Sequence, residues 1–210
     1  MNPSTTWVGA SRLMTWRTRR NGWDLPASPI NGEFYVGQLE LAKSYFVLAI
    51  KDFQQSLEET SSAKGKSAFY SSLGELYFGA GDLQNALVSY QSAIALQPDK
   101  EGLHYNVAQI YEAQNMIPAA VEEYRKEISV APKNYKAFND LGLLYRRLTR
   151  WDDAIVCFQK VVEFLPNDPR GYFLLGTTYQ MMGNQQEALK IRNLMTAKKQ
   201  ELKWTPEDTE

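Results

Sequence analysis

The sequence predicts an all-α fold, a solenoid of stacked helical hairpins, and three observations predict it. Alanines at Ala86, Ala120, Ala154 and Ala188 recur every 34 residues. Aromatics follow each of the first three at a fixed distance (Tyr90, Tyr124, Phe158), and prolines close the same units (Pro98, Pro132, Pro166). Upstream of each alanine a second pattern repeats as LGELY, VAQIY, LGLLY and LGTTY, which sets Tyr77, Tyr111, Tyr145 and Tyr179 in one register.

Taken in order, the chain opens with a basic, Trp-rich arm over residues 1–32, in which Pro26 and Pro29 mark a linker. A degenerate unit follows, with Gly37, Ala49 and Phe53 at the glycine, alanine and aromatic places. The step from Ala49 to Ala86 exceeds the period, and SSAKGK at 61–66 is expected to hold the surplus as a longer turn. Within a unit, apolar residues fall at spacings of three and four, as in Leu73, Leu76, Tyr77 and Ala80, the mark of a helix with one buried stripe. Turn signals at Gly81-Asp82, Gln114-Asn115, Thr149-Arg150 and Gly183-Asn184 end it, and a second helix runs on to the proline. Gly74 and Ala86 are small because the paired helices approach closely there, and Tyr77 and Tyr90 are expected to fill the space between neighbours. The last unit has Arg192 at the aromatic place and no proline. Its run EALKIRNLMTAKKQELKW predicts a long C-terminal capping helix with a polar outer face. Five repeats result, at roughly 30–66, 67–100, 101–134, 135–168 and 169–202, so the array spans 33–202 and an acidic tail 203–210.

The pairing of L-G-x-x-Y with a later alanine, aromatic and proline over 34 residues resembles the tetratricopeptide repeat (TPR). The resemblance implies a right-handed superhelix whose concave groove is lined by the first helix of each unit and holds partner proteins as peptides or helices.

Composition narrows the function classes. The 210 residues are 44% hydrophobic and 22% charged with a net charge of −1, which gives no global sign of a nucleic-acid or anionic-membrane binder. The longest apolar run, YFVLAI at 45–50, is too short to cross a bilayer, and no secretory signal is expected near Met1. Cys157 is the single cysteine, which excludes an internal disulfide and a cysteine zinc site and suits a reducing compartment, cytoplasmic or organellar. His104 is the single histidine and stands in a different unit from Cys157. Both read as packed residues rather than a catalytic pair. The acidic pairs Glu58-Glu59, Glu122-Glu123 and Asp152-Asp153 read as solvated faces or helix starts. Gly79-Ala80-Gly81 is an inter-helix turn, not a phosphate loop. No enzyme activity, cofactor or metal is expected.

The groove face, counted away from the glycine place, comprises Phe34, Gln38 and Leu41, then Ser71, Glu75 and Phe78, then Tyr105, Asn106, Gln109 and Glu112. Lys136, Asn139, Asp140, Leu143 and Arg146 follow, then Arg170, Phe173, Thr177 and Gln180. Amides such as Gln109 and Asn139 can bond a ligand backbone, and Phe78, Tyr105 and Phe173 offer anchors. Arg146, Arg147 and Arg150, with Arg170 across the next turn, form a basic cluster. Its two readings are helix C-terminal cations and a dock for an acidic segment. Some family members grip a chaperone's C-terminal carboxylate through a lysine–asparagine–asparagine–lysine–arginine clamp. Carried over place by place, those positions are Ser71, Glu75, Asn106, Lys136 and Asp140; only Asn106 and Lys136 match, so no such clamp is expected. The asparagine ladder of the sugar-transferase relatives is matched by Asn106 alone.

The arm carries Trp7, Arg12, Trp16, Arg17, Arg19, Arg20 and Trp23 and no acid over residues 1–23. It reads as an organelle transit peptide, as a segment docked on its own array, or as an anchor in a partner assembly, the docking readings being preferred. An RNA-contacting version rests on four arginines and weighs little. The expected function is a non-catalytic adaptor, in particular an assembly factor. The rivals are a permanent subunit of a large complex anchored by the arm, and a regulatory module for an enzyme on another chain.

Overall fold

The structure, a computed structural model, describes residues 48, 50–52, 55 and 62–202. The chain divides into two units, 1–42 and 43–210. The arm and the Gly37, Ala49 and Phe53 places lie outside the described residues, and everything below concerns the second unit.

Eight helices and no strand occur among the described residues 62–202. They are α1 (Ala63–Gly79), α2 (Leu83–Leu96), α3 (Leu103–Ala113), α4 (Ile117–Val130), α5 (Tyr135–Arg147), α6 (Trp151–Phe164), α7 (Pro169–Met182) and α8 (Gln185–Leu202). Each packs on its sequence neighbours, more extensively within the hairpins α1–α2, α3–α4, α5–α6 and α7–α8 than between them. That is the α-solenoid, four hairpins in line. Pro98, Pro132 and Pro166 each stand two residues past the end of a second helix, which they cannot extend. SSAKGK does not form the longer turn expected. Ser62 caps α1 by accepting from the Gly65 N–H at 3.0 Å, and the helix runs straight through Ala63–Lys66. A good N-cap followed by Ala and Lys outweighs the single glycine.

The two helices of a hairpin are joined by one recurrent turn. Gly81, Asn115, Thr149 and Gly183, 34 residues apart, all adopt positive φ, from 57° to 88°. The carbonyls of Tyr77, Tyr111, Tyr145 and Tyr179 accept from the N–H five residues on, at 2.8–2.9 Å, and a second bond closes the turn inside it. This is a Schellman motif written four times, with the tyrosine of L-G-x-x-Y as its first acceptor. Glycine adopts it without strain and asparagine with little. Thr149, β-branched at φ 57°, is strained and holds the geometry because its neighbours impose it.

The glycine place explains the spacing of the motif. A Cβ on Gly74 would fall 2.9 Å from the Tyr90 ring, and one on Gly142 would fall 2.7 Å from Phe158. The aromatic of the second helix therefore lies on the glycine of the first, within one hairpin. Tyr90 makes this contact and also belongs to a core cluster with Leu103, Val107 and Ile110 of the next hairpin. Tyr90, Tyr124 and Phe158 are each at most 1% exposed, and burying such a ring stabilises by roughly 2–3 kcal/mol. At the last hairpin the aromatic place is Arg192, which is exposed. There Ile191 takes up the contact with Gly176, at a looser 3.3 Å. Among the described residues no buried side-chain polar atom lacks a hydrogen-bond partner, and no helix is long and apolar enough to cross a membrane.

Gly142→Ala should lower the unfolding free energy by about 1–3 kcal/mol, because the Phe158 ring and the Cys157 Cβ must give way. Gly176→Ala should stay within about 1 kcal/mol of the parent, since the better helix propensity offsets a small adjustment of Ile191. Chemical denaturation of the two variants measures the contrast.

Alkaline stability follows from the same buried rings. Burial, then the Glu75 charge, raises the Tyr90 hydroxyl above the usual value; burial, then the Asp140 charge, raises Tyr124; and burial pushes the Cys157 thiol up to about 12. The folded chain thus holds these protons more tightly than the unfolded chain, whose groups titrate at about 8.5 for cysteine and about 10 for tyrosine. Their contribution is complete below those values and is lost as pH climbs toward the raised ones. Stability should hold up to about pH 8 and fall above about pH 10. Tyr90→Phe combined with Tyr124→Phe should flatten the fall, as urea midpoints across that range would show.

Candidate partner-binding groove

The first helices α1, α3, α5 and α7 each bury one stripe in the core and turn another away from it. Glu75 is exposed and Phe78 half-buried on α1, while Tyr105, Asn106 and Gln109 are half-buried on α3. On α5, Asn139, Leu143 and Arg146 are half-buried and Arg147 exposed, and on α7 Arg170 and Phe173 are exposed. Phe34 and Gln38, and Trp7, Arg12, Trp16, Arg17, Arg19, Arg20 and Trp23 of the arm, lie outside the described residues.

Side chains across α3 and α5 form a polar network. The Tyr105 hydroxyl donates to Asp140 Oδ2 at 2.8 Å and accepts from Gln109 Nε2 at 3.2 Å. Asn139 Nδ2 donates to Asp140 Oδ1 at 2.9 Å. The Tyr105 ring packs at 5.6 Å against Tyr124, whose hydroxyl donates to Glu112 Oε2 at 3.3 Å. Burial, followed by the Asp140 charge, holds the Tyr105 hydroxyl well above its ordinary value, so it stays a donor at neutral pH. Tyr105 is thus part of the groove floor more than a free anchor. Gln109 and Asn139 each spend one donor inside the network, and an amide has a further donor and an acceptor besides.

The arginines do not act as one cluster. Arg147 pairs with Glu112 at 3.6 Å and donates to Asn115 Oδ1 at 3.2 Å. Arg150 pairs with Asp153 at 2.7 Å and lies 4.5 Å over the Tyr145 ring. Arg170 folds onto Asp168, the residue that caps α7. Arg146 reaches across to α7, where it meets Thr177 Oγ1 at 3.5 Å and Met181 Sδ at 3.4 Å.

The two residues considered for chemistry are held apart in role. His104 Nδ1 lies 2.7 Å from Glu123 Oε2 on α4, whereas Cys157 is buried on α6 against the glycine place of α5. No group of three or more metal-ligating side chains is gathered among the described residues.

One structural residue escapes the repeat pattern. Glu127 of α4 is 0% exposed at a place filled by Ala93 and Val161 in the neighbouring units. Its carboxylate accepts from the Gly102 and Tyr105 N–H groups at 2.8 and 3.2 Å, and from Asn134 Nδ2 at 2.8 Å. Gly102, at the N-cap of α3, has no side chain to cap with, and Asn134 is the N-cap of α5. A single carboxylate therefore closes the start of α3 and steadies the cap of α5, where helix dipoles favour negative charge. It fixes the turn that carries Tyr105. The signal in the sequence was a charge at an apolar place of the period.

Glu127→Ala should cost about 3 kcal/mol by leaving three half-buried donors without their acceptor. Amide hydrogen exchange at Gly102 and Tyr105 should accelerate, with exchange in α7 unchanged.

The TPR repeat family model matches residues 74–115 and 142–183. No curated protein matches the chain. Among solved structures, MamA is similar over 80% of this chain and 98% of its own at 22% identity, with a TM-score of 0.66. A tetratricopeptide repeat protein of Parabacteroides merdae ATCC 43184 is similar over 75% of this chain and 61% of its own at 24% identity, TM-score 0.64. The first TPR of Spaghetti (RPAP3), bound to the HSP90 peptide SRMEEVD, is similar over 57% of this chain and 95% of its own at 20% identity, TM-score 0.54. A 34-residue motif, four hairpins on one turn geometry and the family model converge, and the chain carries tetratricopeptide repeats.

Proposed function

We propose that this chain is a non-catalytic adaptor that holds a segment of another protein along the groove face of α1, α3, α5 and α7, and that it serves as an assembly factor. The observation that carries the reading is the division of labour on those helices. Leu73, Val107, Leu141 and Leu175 are buried on one side. Two residues further on, Glu75 is exposed and Gln109, Leu143 and Thr177 are half-buried, and the four differ in chemistry. With the amides of Gln109 and Asn139, the exposed Phe173 ring and the exposed charges of Glu75 and Arg170, this face of the first helices carries more chemistry than folding alone calls for.

The RPAP3 repeat domain, with its bound peptide, supports the idea that an array of this kind takes a short segment. The details differ here, because the five clamp places keep only Asn106 and Lys136. Chemistry on this chain is disfavoured by its own groups. A thiol held at about 12 stays protonated and is a poor nucleophile, and His104 is committed to Glu123.

The full chain, immobilised in native extract, should retain a partner. Gln109→Ala with Phe173→Ala should release it, and Val88→Ala with Val156→Ala on exposed places of the second helices should not. Loss or retention by both pairs alike would remove the groove from the account. Removing residues 1–32 reports separately on the arm. Stoichiometric co-purification instead of exchangeable capture would favour a permanent subunit, and a changed turnover of a retained enzyme would favour a regulatory module.

A further inference from the structure

Four arginines lie on or beside the groove helices α5 and α7, and three are neutralised within the chain by Glu112, Asp153 and Asp168. Arg146 is the exception: among the described residues no carboxylate lies within ion-pairing distance of it. The acids of α3 and α5 on this face are engaged elsewhere, Asp140 by Tyr105 and Asn139, and Glu112 by Tyr124 and Arg147. Five guanidinium donors find two acceptors, a hydroxyl at 3.5 Å, the limit of a hydrogen bond, and a thioether sulfur, a weak acceptor at best. Burial alone holds the Arg146 pKa below the ordinary arginine value, the sign of a cation already stripped of part of its water without an anion in return.

Beside this cation runs an apolar stripe. Phe173, Thr177 and Met181 stand four residues apart on one face of α7, and Phe173 and Met181 are 51% and 55% exposed. The Thr177 hydroxyl is turned back to the Phe173 carbonyl at 2.9 Å, so the stripe offers carbon and sulfur surface around one fixed charge.

We propose that Arg146, with Phe173 and Met181, forms a subsite for an acidic–apolar segment of a partner protein: an aspartate or glutamate side chain on the guanidinium fork, and a neighbouring aliphatic or aromatic side chain on the α7 stripe. The inference rests on the groove reading and adds the chemical class of the occupant. Charge complementarity selects the carboxylate, because the guanidinium fork matches it with two parallel bonds. The dehydration cost of the cation is met on folding, so a ligand acid gains without repeating it. The position is unrelated to the five clamp places and requires no chain terminus.

Selection of a random peptide library displayed on phage against the full chain tests the proposal. Peptides joining Asp or Glu to Leu, Ile or Phe should be enriched. A fluorescein-labelled enriched peptide should bind less tightly as salt rises, and Arg146→Gln should weaken it at least about tenfold. Arg146→Lys should restore part of the loss, Arg147→Gln should leave binding within about twofold, and the Asn/Gln counterpart of the peptide should bind parent and Arg146→Gln chains alike. Acid-free peptides that depend on Phe173 but not on Arg146 would overturn the subsite and leave the groove standing. Enrichment of no peptide sensitive to any groove substitution would overturn both.

Discussion

The architecture depends on an aromatic ring lying flat against a residue with little or no side chain. Where Tyr90 covers Gly74 and Phe158 covers Gly142, two helix axes come within a distance that any larger residue would forbid. That contact decides which face of each helix is inward, and the remainder follows. Once the ring is seated, Ala86, Ala120 and Ala154 must be small on the second helix, and all three are fully buried. The stripe on the far side of the first helix then has nowhere to face except the groove.

The turn between the helices is the second constraint, and it is backbone chemistry rather than packing. A left-handed residue at the same place in each hairpin reverses the chain identically, whether glycine, asparagine or threonine occupies it. Thr149 shows that the geometry is imposed by the Schellman bonds and the packed helices around it, with local preference overridden. Identical reversals and identical ring contacts stack the hairpins in register, and this lines up groove side chains from α3, α5 and α7 closely enough to bond across helices.

Much of this could be read from the residues in order. The period, the turns, the small places and the capping helix are local or strictly repeated, so a linear pattern carries them. Groove chemistry was legible only as a row of accessible places. That Tyr105 reaches Asp140, and that Arg146, unlike the three other arginines beside it, meets a hydroxyl and a thioether instead of a carboxylate, depends on pairings between residues more than 30 apart in the chain. No spacing rule encodes those. SSAKGK departs from expectation because Gly and Ser suggest a turn by composition, whereas Ser62 caps and so starts a helix that runs through Ala63–Lys66. The exposed Leu189 and Leu194 on α8 likewise make its outer surface less polar than the charge-rich sequence suggested.

Glu127 carries an implication for how such arrays diversify. Tandem duplication treats repeats as bricks that can be copied, deleted or exchanged, and a brick must be self-sufficient. The carboxylate of Glu127 answers to Gly102 and Tyr105 at one edge of its unit and to Asn134 at the other, all within 101–134. Copied whole, that brick carries the buried charge and its three donors together; cut short of Asn134, it would bury the charge with one donor fewer. Asn134 also caps the first helix of the next brick, so the workable seam of the array falls just after that residue.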